Sequence, residues 1–372
     1  MMLLTVNAGS SSLRLAAFSV TGGEPEPVAS ARYELQGESG AELLRNFLEQ
    51  YKPGHITAVV HRIVHGGPYF SGPGLIDAAA EQQLVQLAPL APLHTGRSLS
   101  LVRAARALLN ADTPHIASFD TAFYTDLPQL ARHYALPAEL TTRHGLRRYG
   151  FHGLAHEALW RRWSEVAAQG TNTGRILTLQ LGSGCSITAT RDGRPMDTSM
   201  GFTPLEGLMM ATRSGDIDPG LLLYLQQHHG WSTDELDDLL NRQSGLLGVS
   251  GLSADMRVLL ASESASAKLA VGLYCYRVRK YIGAYLAVLG GADSIVFGGG
   301  VGENAPEVRT RILVDMDWAG VHIDTVANRV ATGREHRISP PESPVSVWVL
   351  KADEQALMAR QAAALLAAQA TR

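Results

Sequence analysis

The sequence predicts an α/β fold, because stretches with the two-residue alternation of β-strands are interspersed with stretches of helical periodicity. Residues 3–6 and 13–20 are predicted strands on either side of the turn-forming residues 7–12, and residues 175–181 and 185–190 are predicted strands on either side of a Gly-Ser-Gly turn. These two similar units begin about 170 residues apart. The repetition indicates an internal duplication in which each copy opens a domain, and 372 residues suffice for two or three domains.

Between and after these strands, apolar residues recur at the spacing of amphipathic helices. The longest such stretch, residues 265–289, is apolar enough to be a largely buried helix. Two polar, proline-bearing stretches, residues 21–27 and 339–344, predict surface loops. The predicted helices cover residues 41–49, 84–88, 99–109, 156–168, 219–227, 265–289 and 354–368.

The composition excludes several classes of protein. Apolar residues make up 45% and charged residues 18% of the chain, which is typical of a globular protein and excludes a disordered one. The net charge of −3 argues against nucleic acid as the main partner, since nucleic-acid-binding surfaces are basic. Cys185 and Cys275 are too few for a disulfide framework, so we expect a reducing, cytoplasmic location. Residues 1–6 lack the features of a signal peptide, and the apolar stretches are shorter than the ~18 residues of a membrane span, so we expect no membrane partner.

Three glycine-rich segments follow apolar strands, at residues 7–12, 182–184 and 298–304. Asp192-Gly193 predicts a tight hairpin turn after the second segment, and Pro306 suits the first turn of a helix after the third. The P-loop pattern GxxxxGK[S/T] is absent, and the glycine spacing in the third segment differs from GxGxxG. Any one segment could be a tight turn without a ligand. Three of them predict a nucleotide site, because the backbone N–H groups of glycine turns can approach a phosphate.

Four further motifs place charged or imidazole side chains beside glycines or apolar runs. Residues 61–67 read His-Arg-Ile-Val-His-Gly-Gly after the apolar residues 58–60, and residues 118–123 read Ser-Phe-Asp-Thr-Ala-Phe. Residues 147–156 read Arg-Arg-Tyr-Gly-Phe-His-Gly-Leu-Ala-His, and residues 197–219 contain Thr-Pro-Leu-Glu-Gly and Thr-Arg-Ser-Gly-Asp-Ile-Asp-Pro. Taken singly, an arginine, aspartate or histidine in such a place is usually a solvated charge, a helix cap or a partner of the backbone.

Together with residues 5–12, 244–251 and 300–304, these motifs resemble the acetate kinase family, within the superfamily of acetate and sugar kinases and actin. The resemblance extends to Glu354 and so covers nearly the whole chain. It implies two duplicated α/β domains of the actin and ribonuclease-H-like type that flank a cleft.

The domain limits that the resemblance implies are residues 1–124 for the N-terminal domain and 125–355 for the C-terminal, nucleotide-binding domain. A C-terminal helix at residues 356–372 is expected to pack on the first domain. The implied activity is the reversible phosphorylation of acetate by ATP, with Mg²⁺ or Mn²⁺, to acetyl phosphate and ADP, by a homodimer.

Two alternatives remain open. A kinase for propionate or another short-chain carboxylate would share the catalytic motifs. A nucleotide-binding member without phosphotransfer would be expected to lack Arg62, Asp120 or Arg213, all of which are present.

The resemblance also implies roles for particular residues. Arginine suits phosphoryl transfer because its planar fork of donors is always charged, and Mg²⁺ suits few carboxylates plus phosphate oxygens and water. The implied catalytic residues are Asp120, Arg62, Arg213 and His152, and the implied metal-site residues are Asn7 and Glu354. The implied substrate residues are Arg62, Val64, Leu93, Phe151 and Pro204. The implied nucleotide-binding residues are Arg14, Gln180, Leu181, Gly182, Ser183, Gly184, Asp255, Met256, Arg257, Gly299, Gly300, Val301, Gly302 and Asn304.

Several positions depart from the family pattern. Arg14 stands where lysine is usual, Tyr124 replaces a histidine, and Gln180 and Ser183 replace a histidine and an asparagine of the second phosphate loop. His94 is followed by Thr-Gly rather than Asn-Pro. These changes leave the implied catalytic set intact and put nucleotide affinity and turnover in question.

Overall fold

The computed structural model describes residues 1–9, 12–22, 24–35, 39–167 and 174–370, with the backbone alone for Pro92 and Leu93. The chain forms two compact units. The domain limits that the sequence suggested remain a prediction, since compactness does not test which segments fold alone. Unit 1 comprises Met1–Thr125, Phe151–Ala155 and Asp353–Arg372, and unit 2 comprises Asp126–Gly150 and His156–Ala352.

Unit 1 begins with strands and helices in alternation. In chain order they are β1 (Met2–Ala8), β2 (Ser12–Thr21), β3 (Glu24–Glu34), α1 (Gly40–Tyr51), β4 (Ala58–Ile63), β5 (Gly74–Leu75), α2 (Ala78–Gln86), α3 (Pro92–Leu108) and β6 (His115–Phe119). They build a six-stranded sheet of order β3-β2-β1-β4-β6-β5. β1, β2 and β3 form an antiparallel meander, β1, β4 and β6 run parallel, and β5 is antiparallel to β6.

Unit 2 contains a second sheet and most of the helices. In chain order they are α4 (Gln129–Arg132), α5 (Ala138–His144), α6 (Gly153–Val166), β7 (Arg175–Leu181), β8 (Cys185–Arg191), β9 (Arg194–Thr198), α7 (Pro219–His229), α8 (Thr233–Asp238), α9 (Gly245–Ser250), α10 (Met256–Leu260), α11 (Ala265–Leu289), β10 (Ser294–Gly298), α12 (Gly299–Asn304), α13 (Pro306–Leu313), α14 (Thr325–Val330), β11 (His336–Arg337) and β12 (Ser346–Val349). The second sheet has the order β11-β12-β10-β7-β8-β9. The first three residues of α6 belong to unit 1.

The two sheets have the same topology. β7, β8 and β9 form an antiparallel meander, β7, β10 and β12 run parallel, and β11 is antiparallel to β12. Read from β9 to β11, the second sheet repeats the first from β3 to β5, strand for strand. The α/β class and the internal duplication predicted from the sequence are therefore confirmed.

The C-terminal helix, α15 (Glu354–Ala370), packs on β1, β2, β3, β4 and β6 of unit 1. Its inward face is apolar, with Leu357, Met358 and Ala362 at 2% exposure or less. On the same sheet, Phe47 of α1 and Leu44 lie fully buried against β1 and β2 residues such as Leu4. Helices thus bury the apolar side chains that the strands of this sheet present.

Three local predictions were wrong. Residues 21–27 were expected to form a loop, but β3 begins at Glu24 and pairs with β2 along its whole length. Pro25 and Pro27 are tolerated because β3 is the edge of the sheet, where a missing N–H costs no ladder hydrogen bond. The helix expected at 84–88 is α2, which starts earlier because the Asp77 side chain accepts a hydrogen bond from the Ala80 N–H.

The third wrong prediction concerns the glycine-rich segment 298–304, which was expected to be a turn. Residues Gly299–Asn304 form the short helix α12 directly after β10. The hairpin turn predicted at Asp192-Gly193 is confirmed, since Arg191 pairs with Arg194 and both turn residues have positive φ. No helix among the described residues is both long and apolar enough to cross a membrane.

Candidate active site

The carboxyl ends of three parallel strands in unit 1 carry three of the predicted site residues. Asn7 lies near the end of β1, Arg62 near the end of β4, and Asp120 directly follows β6. Val6 pairs with His61, and Arg62 pairs with Ser118, so the register places these ends side by side. In open α/β sheets such an edge is where ligands bind.

Arg62 and Asp120 form a bidentate ion pair. Arg62 Nε donates to Asp120 Oδ1 at 2.9 Å, and Nη2 donates to Oδ2 at 2.6 Å. The side chains are 11% and 1% exposed. Burial alone would lower the pKa of Arg62, but the charges of Asp120 and Glu354 outweigh that effect and raise the pKa above its usual value. Arg62 is therefore a permanent, oriented cation.

Asn7 links this ion pair to the first residue of α15. Arg62 Nη1 donates to Asn7 Oδ1 at 3.2 Å, and Asn7 Nδ2 donates to Glu354 Oε2 at 2.6 Å. Asn7 is 3% exposed and Glu354 is 8% exposed. The neighbouring Gln355 holds the start of the helix on β1 by donating to Thr5 Oγ1 at 3.1 Å. The structure thus joins residues 347 positions apart in one buried chain of hydrogen bonds.

The donor set of this chain fits a hard divalent cation. Two carboxylates, Asp120 and Glu354, face one guanidinium, so the cluster has one net negative charge. A carboxylate has about four lone-pair sites, and the fork of Arg62 occupies two of those on Asp120. No group of three or more His, Cys, Asp or Glu side chains that could hold a metal lies within the described residues. A metal here would keep water or phosphate ligands, as Mg²⁺ does.

His152 is placed beside Asp120 by the backbone. It has φ 56°, a left-handed conformation that is uncommon for a non-glycine residue. The next residue, Gly153, donates its N–H to the Asp120 carbonyl at 2.9 Å, and a Cβ on Gly153 would lie 2.1 Å from that oxygen. Only glycine allows this approach. Tyr124, which departs from the family pattern, is buried and donates its hydroxyl to the Phe151 carbonyl at 3.1 Å.

Two of the four residues expected to line a small apolar pocket are buried in unit 1. Val64 is 4% exposed and Phe151 is fully buried in unit 1, where the Phe151 ring meets the edge of His65 at 5.3 Å between ring centroids. Pro204 belongs to unit 2. Leu93 lies in α3, but its side chain is outside the described part of the structure.

Unit 2 places two of the glycine segments at the carboxyl ends of its own parallel strands. The turn 182–184 follows β7, and α12 follows β10. Gly299 has φ 77°, and a Cβ there would lie 2.6 Å from the Leu181 carbonyl oxygen, so the two segments touch. Gly300 faces open space, whereas the Gly299 N–H already donates to Glu303 Oε1 at 3.1 Å.

Gln180, the last residue but one of β7, carries an unsatisfied polar group. Its Oε1 is buried and has no hydrogen-bond partner among the described residues. A buried acceptor of this kind costs about 1–3 kcal/mol unless a donor reaches it. Ser183 is exposed at the turn, and Arg14 is exposed on β2, directly opposite Asn7 in the ladder of unit 1.

Asp255, Met256 and Arg257 also lie in unit 2 and have local structural roles. Asp255 caps α10 by accepting the Arg257 N–H at 2.8 Å, and hydrogen bonding to Arg257 lowers the pKa of Asp255. Met256 is 4% exposed, so its side chain is in the core. The Arg257 side chain is 90% exposed and forms an ion pair with Asp255, whose side chain is 37% exposed.

Arg213 lies in a segment that touches the Gly182–Gly184 turn. Its neighbour Ala211 donates its N–H to the Ser183 carbonyl at 3.0 Å, and Arg213 Nη1 donates to the Pro204 carbonyl at 3.1 Å. Gly245 packs on this segment so closely that a Cβ would lie 2.3 Å from the Met210 carbonyl. Within unit 2, the Arg213 side chain therefore contacts Pro204, and the backbone next to Arg213 contacts the turn.

Two residues of α3 at the first strand edge were not singled out from the sequence. Arg97 Nη1 donates to the Gly9 carbonyl at 2.9 Å, and Ser98 Oγ donates to the Arg62 carbonyl at 3.3 Å. The contacts are long-range, so no pattern within α3 could predict them.

Comparison with known proteins identifies the family to which this fold and this set of residues belong. The acetokinase family model matches residues 38–360. The chain belongs to the acetokinase family. An acetate kinase from Solibacter usitatus is 45% identical over 333 residues, which cover 88% of this chain and 79% of that protein. An acetate kinase from Rhodopseudomonas palustris is 41% identical and covers 96% and 97% of the two chains.

Solved structures of the acetokinase family show the same fold. Porphyromonas gingivalis acetate kinase superposes with a TM-score of 0.87 at 35% identity, over 98% of this chain and 99% of that one. A propionate kinase from Francisella tularensis superposes with a TM-score of 0.86 at 34% identity, over 97% and 98%. The resemblance inferred from the motifs is thus confirmed, and so is the fold that it implied.

A buried histidine pair lies directly behind Arg62. His61 of β4 and His115 of β6 share a hydrogen bond, Nε2 to Nδ1, of 3.0 Å. Burial, His115 and Arg106 hold the pKa of His61 well below 6.5. Burial and Arg106 lower the pKa of His115 to about 4. Both imidazoles are therefore neutral at pH 7.

We expect this pair to make the protein sensitive to acid. Below pH 6.5 the unfolded chain binds protons at these histidines and the folded chain does not, so the free energy of unfolding decreases as the pH falls from 6.5 to about 4. The slope is up to about 1.4 kcal/mol per pH unit for each histidine. Above pH 6.5 the pair contributes no slope. Urea denaturation of His115→Gln should show a shallower pH dependence than wild type in this window, whereas His229→Gln on α7 should not. Equal slopes in all three proteins would contradict the assignment.

Proposed function

We propose that this chain is an acetate kinase, which transfers the γ-phosphoryl group of ATP reversibly to acetate. The observation that carries the proposal is the buried chain Asp120–Arg62–Asn7–Glu354 at the carboxyl ends of three parallel strands. It combines an oriented cation with two acids, as phosphoryl transfer requires. Membership of the acetokinase family supports the nature of both substrates.

In the reaction, a carboxylate oxygen of acetate forms a bond to the γ-phosphorus as the bond to the bridging oxygen of ADP breaks. Acetate attacks as the anion, so no general base is required. Arg62 binds the carboxylate and the equatorial phosphoryl oxygens, and Asp120 fixes the plane of its fork. His152 donates to the same oxygens. Arg213 supplies the second positive charge.

Asn7, Asp120 and Glu354 would hold the divalent cation, with Mg²⁺ favoured and Mn²⁺ as a substitute. A cation bound there would offset negative charge on the nucleotide phosphates. The nucleotide is held by the turn 182–184, by Gln180 and by the start of α12. Their position at the carboxyl ends of the parallel strands β7 and β10 supports this, because ligands bind at such edges in open α/β sheets.

Removing Arg62 or Asp120 tests the proposal. We expect Arg62→Ala to lower kcat roughly 10³-fold or more, because the developing charge on the phosphoryl oxygens loses its partner. Asp120→Asn should lose activity and need more Mg²⁺, since a neutral amide binds a hard cation less well. The measurement is acetyl phosphate formed from acetate and ATP, trapped as the hydroxamate, across a Mg²⁺ titration.

Arg45→Ala, at an exposed position of α1, is the matched control and should behave as wild type. Circular dichroism confirms that each variant is folded. Wild-type activity in folded Arg62→Ala would refute its role. A wild type that binds ATP but forms no hydroxamate would instead support a binding protein without phosphotransfer.

Substrate size is expected to be limited by Val64. Val64 and Phe151 are buried and apolar within unit 1, as suits two of the residues proposed to bind the methyl group of acetate. Propionate is the second candidate substrate, because a solved relative of 34% identity is a propionate kinase. One methylene group is worth only about 1–3 kcal/mol of discrimination.

We expect Val64→Ala to shift specificity toward the larger acids. Each substrate methylene that enters the enlarged pocket gains up to ~0.8 kcal/mol, or about fourfold in binding. The ratio of kcat/KM for acetate, propionate and butyrate is measured for wild type and variant. An unchanged ratio would remove Val64 from the pocket, and a wild type that prefers butyrate would overturn the acetate assignment.

The protein is also proposed to be a cytoplasmic homodimer. The dimer is supported by α7, whose described residues are all half-buried or exposed although the helix is rich in leucine. Leu221, Leu223 and Tyr224 are 47%, 55% and 53% exposed. Exposed apolar side chains clustered on one helix are typical of a surface that a partner covers.

Leu223→Asp should shift the molar mass in solution from dimer to monomer, because a buried carboxylate without a partner destabilises an interface. Light scattering coupled to size-exclusion chromatography measures the mass. Leu130→Asp, at a position that is 98% exposed on α4, should stay dimeric. A monomeric wild type would refute the dimer, and a dimeric Leu223→Asp would move the interface away from α7.

A further inference from the structure

The segment that carries Arg213 is closed into a ring by one aspartate. The Gly207 N–H donates to Asp216 Oδ1 at 2.8 Å, and the Asp216 N–H donates to the Gly207 carbonyl at 2.9 Å. Within the ring, the Met210 N–H donates to the Arg213 carbonyl at 3.1 Å. The side chain and backbone of Asp216 therefore hold the two ends of the loop 207–216 together, and Arg213 lies within this loop.

Two glycines show how tightly this ring is closed. Gly207 has φ 104°, and a Cβ there would lie 2.4 Å from the Ser199 carbonyl. Gly215 has φ 66°, and a Cβ there would lie 2.4 Å from the Gly207 carbonyl. At Gly207 and at Gly215 the backbone packs directly on another stretch of backbone. We therefore expect a small displacement of Asp216 to displace the rest of the loop that contains Arg213.

Asp216 is in turn held from α11. Tyr281 donates its hydroxyl to Asp216 Oδ2 at 2.6 Å, while Oδ1 holds Gly207. Both carboxylate oxygens are thus engaged in hydrogen bonds of the strong, charge-assisted kind. Burial, followed by the hydrogen bond to Asp216, raises the pKa of Tyr281, so the hydroxyl keeps its proton. Its ring also meets Tyr285 edge to face, with centroids 5.7 Å apart.

We propose that Asp216 and Tyr281 are positioning residues for Arg213: the Tyr281 hydroxyl anchors Asp216, and Asp216 closes the ring that aims the guanidinium. The inference rests on the proposed role of Arg213 in phosphoryl transfer. Neither residue touches the reacting atoms. Their contribution lies in orienting a charge before the transition state forms, where small misplacements are costly.

Tyr281→Phe tests this with the loss of a single hydroxyl group and retention of the ring packing. We expect kcat to fall roughly 10- to 100-fold, the range for loss of one charge-assisted hydrogen bond, with KM for ATP changed less than about twofold. Asp216→Asn, which keeps the acceptor for Gly207 but loses the charge, should show the same split. Tyr276→Phe is the matched control, because it lies on the same helix with a side chain that is 59% exposed, and it should retain wild-type kcat.

A double-mutant cycle separates positioning from general destabilisation. In the Arg213→Ala background, assayed at raised enzyme concentration, Tyr281→Phe should cause no further loss, since the group that it aims is gone. An equal fold-loss in both backgrounds, or wild-type kcat in Tyr281→Phe, would overturn the proposal. An inactive wild type, or a fully active Arg213→Ala, would instead overturn the proposed function, so the two failures are distinguishable.

Discussion

The buried charge of Arg62 is the interaction on which the arrangement of unit 1 depends. A guanidinium that is only 11% exposed is costly to bury unless anions and hydrogen-bond acceptors surround it. Those partners come from three places far apart in sequence: Asp120 after β6, Asn7 in β1 and Glu354 at the start of α15. The parallel register of the strands and the docking of the C-terminal helix are needed to bring them together. The same cluster has a net negative charge, which is the property that a divalent cation requires.

The duplication explains why the second unit can contribute a different chemistry with the same topology. In unit 1 the strand ends carry an amide, a guanidinium and a carboxylate. In unit 2 the corresponding ends of β7 and β10 carry glycines, which expose backbone instead of side chains. The first sheet therefore contributes charged side chains, and the second contributes space and backbone N–H groups. In each unit these groups lie at the carboxyl ends of that unit's parallel strands.

Precision in unit 2 comes from backbone contacts that only glycine permits. Gly207, Gly215, Gly245 and Gly299 each combine a positive φ with an approach that a Cβ would prevent. Carboxylate and hydroxyl groups then fix the path, as Asp216 and Tyr281 do around Arg213. In unit 1, Gly153 has the same function beside Asp120, where it sets the position of His152.

The sequence by itself determined the α/β class, the duplication, the long helix α11 and the family, because these depend on periodicity and on contiguous motifs. It also named Arg62, Asp120, Asn7 and Glu354, but only as a resemblance. Tertiary structure decided what local signals could not express. Proline-bearing β3 is a strand because it occupies a sheet edge, and Gly299–Asn304 is a helix because β10 and β7 support it. The link of Tyr281 to Asp216 joins residues 65 positions apart. Such contacts depend on packing between elements that are far apart in sequence, so local sequence patterns do not predict them.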